Sequence, residues 1–408
     1  MSVSQLSENA QKSAMKTVVV GMSGGVDSSV TAALLKEQGY RVIGLFMKNW
    51  EEKDDQGVCT TATDFEDVAA VCQKLDIPYY TVNFVKEYWD NVFVHFLNEY
   101  KQGYTPNPDI LCNREIKFKV FFEKAMELGA DYLATGHYCQ NIEGRLIKGN
   151  DPGKDQTYFL YTMKKEILEK VLFPVGAIHK SEVRKIAEKY DLATKAKKDS
   201  TGICFIGERD FKKFLSQYVP ANAGDFRTLD GKKVGRHEGS VYYTLGQRRG
   251  LGLGGEGERW FVVAKDIQKN IVFVERGSDH PALYCDELKA VELSWVSGSA
   301  PSLPFRCKAK ARYRQADQDC TIMSIADGVA HIVFDQPQRA ITPRQSVVFY
   351  SGDECLGGAM IGEAGASYFE RGLDLPKIEP VVTGLTQDFA ETLVSSLQYE
   401  ASKFGLIS

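Results

Sequence analysis

The run KTVVVGMSGGVDSSVTAALLKEQGY, Lys16 to Tyr40, decides how the first half of the chain is built. KTVVVGM, with three successive β-branched valines, reads as a buried strand. SSVTAALLKEQGY then reads as a helix closed by Gly39. Between them, SGGVDSS holds two glycines that let the backbone turn sharply and approach a ligand. Its serines and the first helical amides can hold phosphate oxygens, with help from the helix dipole. No Lys-Ser/Thr pair follows, so the loop is not a Walker motif, and γ-phosphate chemistry of that type is not expected.

The alternation continues outward. RVIGLFM reads as a strand, DFEDVAAVCQKL as a helix, PYYTVNF as extended and EYWDNVFVHFLNEYK as helical. REIKFKVFFEKAMELG is a helix ended by Gly129, and DYLATGH a strand. This order predicts an α/β domain with a parallel sheet covered on both faces. From about Asp225 the texture turns to short β-rich runs (SVYYTL, RWFVVAK, NIVFVER, FRCKAKARYR, TIMSI, AHIVFD, SVVFY) between Gly, Asp and Pro turns, enough for two small modules. Boundaries near Phe214 and Cys285 give a loose arm 1–15, an α/β domain 16–214, a small β-rich domain 215–285, an all-β module 286–382 and an unassigned tail 383–408.

Composition narrows the class. The 408 residues are 43% hydrophobic and 25% charged, ordinary for a globular cytosolic protein. No run has the length of a membrane span, and the polar N-terminus lacks a signal-peptide apolar region. Nine cysteines, an odd number without a CxxC pair, argue against a disulfide framework and for mostly reduced, buried thiols in the cytoplasm. A net charge of −4 gives no global basic signal, so any nucleic-acid binding must rest on local patches.

Two local patches stand out. In FRCKAKARYR, Arg306, Lys308, Lys310, Arg312 and Arg314 alternate with Phe305, Cys307, Ala309, Ala311 and Tyr313, which predicts a strand with five positive charges on one face, suited to a phosphate backbone. The run HKSEVRKIAEKYDLATKAKK ends in KAKK, the part expected to touch RNA. A third feature is rejected: Gly252-x-Gly254-x-x-Gly257 imitates a dinucleotide fingerprint, but a strand follows where a Rossmann loop must open a helix.

Two thiols lie in settings that favour chemistry. Cys112, in NPDILCNREIKF, is expected near the N-terminus of a helix beginning at about Arg114, with Asp109 as a candidate cap. Helix amides, Arg114 and Lys117 would favour its thiolate. Cys204, in KKDSTGICFIGERDF, is flanked by Gly202 and Gly207 with basic neighbours.

The Ser-Gly-Gly-x-Asp-Ser loop resembles the PP-loop of the ATP pyrophosphatases, which split ATP between its α and β phosphates. That likeness implies an ATP site from Gly21, Met22, Ser23, Gly24, Gly25, Val26, Asp27 and Ser28, with Asp27 helping to place Mg2+ and Met47 beside the adenine. Together, GMSGGVDSSV, NPDILCNREIKF, ATGHY, GKDQTYFL, DSTGICFIGERDF, TLGQRRGLGLGG, RYR and LGGAMI resemble the tRNA-uridine 2-sulfurtransferases, from Lys16 to about Ile361. The resemblance implies a PP-loop domain, a small central domain and a C-terminal β-barrel. It also implies ATP-dependent 2-thiolation of the wobble uridine of tRNA, with sulfur relayed as a persulfide from a carrier protein or cysteine desulfurase.

By motif, Cys112 corresponds to the family's nucleophile and Cys204 to its persulfide-bearing cysteine. Asn107, Pro108 and Asp109 correspond to the segment meeting the target base, with Asp109 moving protons. Gly136 belongs to the ATP site, and Lys154, Asp155, Gln156, Arg312 and Tyr313 to tRNA contacts. Arg344 stands where the family usually has glycine, and is read as one more phosphate contact. An iron–sulfur protein, with Asp109, Cys112 and Cys204 as three cluster ligands, stays open beside this reading.

Overall fold

The computed structural model describes residues 15–51, 60–199 and 211–376. Its first strands are β1 (Thr17–Met22), β2 (Arg41–Lys48), β3 (Tyr79–Asn83) and β4 (Tyr132–Ala134), then the hairpin β5 (Cys139–Ile142) and β6 (Arg145–Lys148), then β7 (Val171–Leu172). Five of them form a parallel sheet in the order β3-β2-β1-β4-β7. β1 lies at its centre because it can bury both faces. Val19 joins Ile43, Leu45 and Leu133 on one side. Val18 and Val20 join Val42 and Phe46 on the other, under α1 (Val26–Glu37) and α2 (Thr60–Lys74). Val18, Val19 and Val20 are fully buried, and each is worth about 1.5–3 kcal/mol of transfer free energy.

Two further helical segments flank the sheet, α3 (residues 85–101) and α4 (residues 108–127), each containing a π-helical stretch, at Trp89–Phe93 and Cys112–Val120. Next come α5 (Lys180–Lys189) and α6 (Phe211–Tyr218). The aromatic side of α3 packs with Phe214 and Leu215 of α6, and Cys112 belongs to that same core.

The second half is all β. Strands β8 (Gly224–Arg227), β9 (Lys233–His237), β10 (Trp260–Asp266) and β11 (Ile271–Arg276) form a sheet ordered β10-β11-β8-β9. Then β12 (Tyr284–Trp295), β13 (Phe305–Lys310), β14 (Gln318–Ala326), β15 (Val329–Arg339), β16 (Ser346–Ser351) and β17 (Glu354–Ala364) close into a six-stranded barrel, because β12 pairs with both β15 and β17. The first domain's hairpin extends that barrel, pairing β6 with β17 at Leu146↔Cys355. Val348 and Tyr350 of the barrel share a core with Val19 and Leu133 of the parallel sheet.

Two expectations about the β-rich half are corrected. SVYYTL is no strand: Ser240–Tyr242 is a single 3-10 turn. Val241 turns toward the core around Cys112 and Tyr243 toward the central domain, an allocation that a regular strand would not give. FRCKAKARYR is a strand only through Lys310, and its charges do not form an open stripe. Inward Cys307 and Ala309 alternate with outward Arg306 and Lys308 as expected. Arg306, however, meets Asp335 in a two-pronged ion pair, and Lys308 stands opposite Asp319. Asp335 of β15 and Asp319 of β14 give Arg306 the counter-charge that the stripe lacked in isolation. The fingerprint rejected from sequence is a loop leading into β10, not a helix.

Gly176 packs tightly against the start of β5. A methyl group there would sit 1.7 Å from the backbone oxygen of Cys139, the first residue of β5. Gly176→Ala should therefore cost about 3 kcal/mol or more, read as a lower urea midpoint or loss of the folded chain on purification. An unchanged midpoint would show that the two segments can part freely.

Candidate active site

The phosphate loop is built as its sequence suggests. Gly24 has φ +73°, and a side chain there would strike the backbone of Asp64 at 2.7 Å. The Ser28 hydroxyl receives the Ser23 amide at 3.2 Å and donates to the Gly25 carbonyl at 3.0 Å, while the Ser29 hydroxyl donates to that same carbonyl at 2.9 Å. Gly25 is the N-cap of α1 and has no side chain to cap with, so the first-turn amides of Val26, Asp27 and Ser28 are left for an anion. A Cβ on Gly136 would lie 2.9 Å from the backbone of Asp27 and Ser28, so only glycine lets the loop after β4 pass this close. Met47, near the end of β2, is half-buried at the same carboxyl edge of the sheet.

Asp27, expected to help place Mg2+, is held by two neighbours. Lys180 of α5 donates to both its carboxylate oxygens, at 2.6 and 2.8 Å, and the Tyr138 hydroxyl donates at 2.7 Å. Oδ1 thus accepts two hydrogen bonds and Oδ2 one, and among the described residues no group of three or more His, Cys, Asp or Glu is placed to hold a metal. Lys180 also pairs with Asp199 at 3.0 Å, as do Lys154 at 2.6 Å and Arg184 at 2.7 Å. Burial alone would raise the Asp199 carboxyl, but hydrogen bonds from Lys154 and Lys180 and their charges hold it down at about 2. Sequence reading missed this network. The lysine of the HKSEV motif was its only signal, and its partner Asp27 lies 153 positions away.

The expected RNA contact at KAKK is also corrected. Lys197 pairs with Asp64 at 2.7 Å and Asp67 at 2.5 Å, and Lys195 with Asp191 at 2.6 Å. These lysines fasten the chain after α5 to its neighbours.

Cys112 sits differently from its expected place. The helix does not begin near Arg114 but at Pro108, with Asn107 as the cap accepting the Asp109 amide at 3.1 Å. Asp109 is thus a first-turn residue and no cap, and Cys112 lies a turn further in, 1% exposed. Proline at N1 and asparagine at N-cap suit a helix start, which accounts for the earlier beginning. Arg114 is turned to Glu115 at 2.8 Å and to Glu292 of the barrel at 3.7 Å, not to the thiol. Burial raises the Asp109 carboxyl above its ordinary 3.8, and the positive charge of Lys117 opposes this only in part. Asn113 donates to the Phe159 carbonyl at 3.0 Å, while its own side-chain oxygen is buried with no partner among the described residues. Phe121 of the same helix meets Gly21 at the end of β1 and so ties the thiol-bearing helix to the phosphate loop.

The segment leading into Asn107 is where the three domains converge. Lys265 of β10 donates to the carbonyls of Gly103 and Tyr243, both at 2.6 Å, and burial pushes its pKa down to about 8. Thr105 and Thr244 share a hydrogen bond at 3.1 Å, and Gln345 donates to the Thr105 carbonyl. Arg344, expected to meet phosphate, instead reaches inward. Its Nε lies 2.9 Å from Glu99, a close ion pair not aligned as a hydrogen bond, and its guanidinium covers Tyr104 at 5.0 Å. It does so from φ +71°, a left-handed conformation that glycine adopts without cost.

The residues expected to contact tRNA lie together but are largely engaged. Asp155, buried, accepts from Gly149 and Thr157 and pairs with Lys310 at 3.6 Å. Gln156 accepts the Tyr138 amide at 2.9 Å. Arg312 donates to the carbonyls of Leu245 and Ala340 and to the Thr342 hydroxyl, each at 2.9 Å. Tyr313 packs on Phe159 with ring centroids 4.3 Å apart. Cys204 lies outside the described residues.

Comparison with known proteins agrees along the chain. Residues 16–208 match the tRNA methyl transferase HUP domain, 212–276 the tRNA methyl transferase PRC-barrel domain and 285–361 the aminomethyltransferase beta-barrel domain. The chain is 63% identical over 370 residues to the tRNA-specific 2-thiouridylase MnmA of Protochlamydia amoebophila, covering 90% of this chain and 98% of that protein. It is 60% identical over 350 residues to tRNA-specific 2-thiouridylase MnmA 2 of Geobacillus kaustophilus, covering 85% and 94%. Among solved structures, the U34-tRNA thiolase NcsA of Methanococcus maripaludis, with its 4Fe–4S cluster, is similar at 20% identity and a TM-score of 0.32, over 50% of this chain and 64% of that one. That likeness is too remote to carry an argument. The fold and the loop define a HUP-domain protein with a PP-loop and appended β-barrel modules. The chain belongs to the tRNA-specific 2-thiouridylase family.

The raised Asp109 carboxyl fixes a sign. The native state holds this proton more tightly than the unfolded chain, so the stability it contributes is full below the ordinary value of 3.8 and is lost as pH rises through the native value. Asp109→Asn should match the parent in urea midpoint at acidic pH and exceed it increasingly toward pH 8. A gap of the same size at both ends of the range would contradict the assignment.

Proposed function

We propose that the protein makes 2-thiouridine at the wobble position of tRNA anticodons, using ATP and a persulfide delivered by a sulfur carrier or cysteine desulfurase. One observation supports the reading: the helix capped by Asn107, beginning at Pro108 and Asp109 and holding Cys112, is anchored by Phe121 on Gly21, at the end of the strand that leads into an uncapped, anion-ready loop. Family membership over nearly the whole chain supports it. The matching domain descriptions speak of methyl transfer, but a cradle for phosphate suits adenylation, which the thiouridylase name of the curated relatives accommodates.

A uracil carbonyl is a poor electrophile and its oxygen a poor leaving group. In this reading the 2-oxygen attacks the α-phosphorus of ATP and pyrophosphate departs, with the amides of Val26, Asp27 and Ser28 holding the phosphates. The terminal sulfur of a Cys204 persulfide adds to C2, and the oxygen leaves with AMP. The Cys112 thiolate then attacks the Cys204 sulfur, closing a disulfide and leaving one sulfur on the base, and a thiol reductant resets the pair. Asp109, with its raised carboxyl, moves protons. The base must leave its stack to enter, which is easier in a single-stranded anticodon loop. Residues 16–214 carry this chemistry, and the modules at 215–285 and 286–382 hold the RNA. Lys154, Asp155, Gln156, Arg312 and Tyr313 act at that surface, chiefly by shaping it.

The test combines protein, ATP, magnesium, a sulfide or persulfide source and tRNA, and seeks 2-thiouridine by nucleoside mass analysis. Cys112→Ser and Cys204→Ser should each lose thiolation by at least about a thousandfold, as expected for loss of a covalent participant. Full activity in either variant would end the persulfide relay.

A further inference from the structure

Among the charged regions of the molecule, the glycine-rich loop from Gln247 to Arg259 differs from all those described above. It lines a cavity of about 340 Å³ together with Trp260 and Arg276, and four arginines border it: Arg248, Arg249, Arg259 and Arg276. Several other cations of this chain meet carboxylates, as Arg306 meets Asp335 and Lys197 meets Asp64. Here, among the described residues, none of the four arginines has an ion-pair partner. Glu256 and Glu258 lie on the same loop, which leaves an excess of two positive charges.

The loop is shaped but not bonded to itself. No backbone amide from Arg248 to Glu258 reaches a carbonyl among the described residues. The loop is held from outside: Trp260 donates to the Gly254 carbonyl at 3.2 Å, and Arg276 donates to the Glu258 carbonyl at 2.5 Å while stacked on the Trp260 ring at 4.3 Å. Positive φ at Gly250, Gly252, Gly255 and Gly257 turns successive peptide groups in a way that lets several amides face one ligand. The loop springs from Thr244, which touches Thr105 two residues before Asn107. A polyanion entering the candidate active site therefore passes close to it.

We propose that this loop is a phosphate-binding site for the tRNA backbone, with Arg248 and Arg249 as its principal contacts and Arg276 as the residue that fixes the loop on Trp260. The proposal rests on tRNA being the substrate. Unpaired arginines above open amides suit phosphodiester oxygens, and a cavity of this size admits one nucleotide.

The test is tRNA binding by the full chain, followed by fluorescence anisotropy across a salt series. The double variant Arg248→Ala, Arg249→Ala removes side chains that make no internal bond, so its thermal melt should match the parent's. Its Kd for tRNA should weaken roughly tenfold, and its log Kd against log salt slope should fall by about 2. Arg248→Lys with Arg249→Lys should keep most of the slope. Parental Kd and slope in the alanine variant would overturn the proposal. So would intact tRNA binding with impaired sulfur uptake from a protein donor, which would make the loop a protein-docking surface. If the parent itself binds no tRNA and forms no 2-thiouridine, the functional reading fails first, a result distinct from a parent that binds and a variant that binds equally well.

Discussion

The buried ammonium of Lys265 ties the central domain to the first. It bridges the carbonyls of Gly103 and Tyr243, and so joins the central domain to the loop that becomes the Asn107 cap. A lysine taken out of water this far is costly unless its protons find acceptors, and both acceptors are backbone atoms that cannot move without shifting their domains. Around the same loop, Gln345 and Arg344 bring in the barrel. The position of the helix bearing Cys112 is therefore set by three domains at once, although that helix belongs to the first.

Arg344 shows what such convergence can sustain. A left-handed arginine carries a backbone cost of roughly 1–2 kcal/mol, which its contacts with Glu99 and Tyr104 offset. The same economy governs the cations in general. Lys180, Lys154 and Arg184 gather Asp27 and Asp199, Lys197 fastens α2, and Arg306 closes on Asp335 two strands away. Against that background Arg248 and Arg249 of the central loop are conspicuous, because among the described residues neither side chain has an ion-pair partner.

Much of the fold was legible along the chain. The parallel sheet follows from a valine run that can be buried on both sides, and the β texture after residue 225 separates the second half from the first. The phosphate loop was legible too, since glycines at a strand-to-helix turn have few other uses. Reading failed where the answer depended on partners distant in sequence. The five-charge stripe looked open because Asp335 and Asp319 are not its neighbours in the chain. The Lys180 bond to Asp27 went unseen because the two lie 153 positions apart. The helix start was misplaced because Arg114 was weighed above the Asn-Pro pair that initiates it.

The sequence by itself determined most of the elements, the anion-ready loop and the two cysteine motifs, because propensity, periodicity and capping act over a few residues. The tertiary structure alone decided which charges stay open, that Cys112 is buried a turn inside its helix, and that three domains meet at Gly103–Asn107. Those outcomes turn on desolvation and ion pairing between groups far apart in the chain, and such energies exist only once folding has brought the groups together.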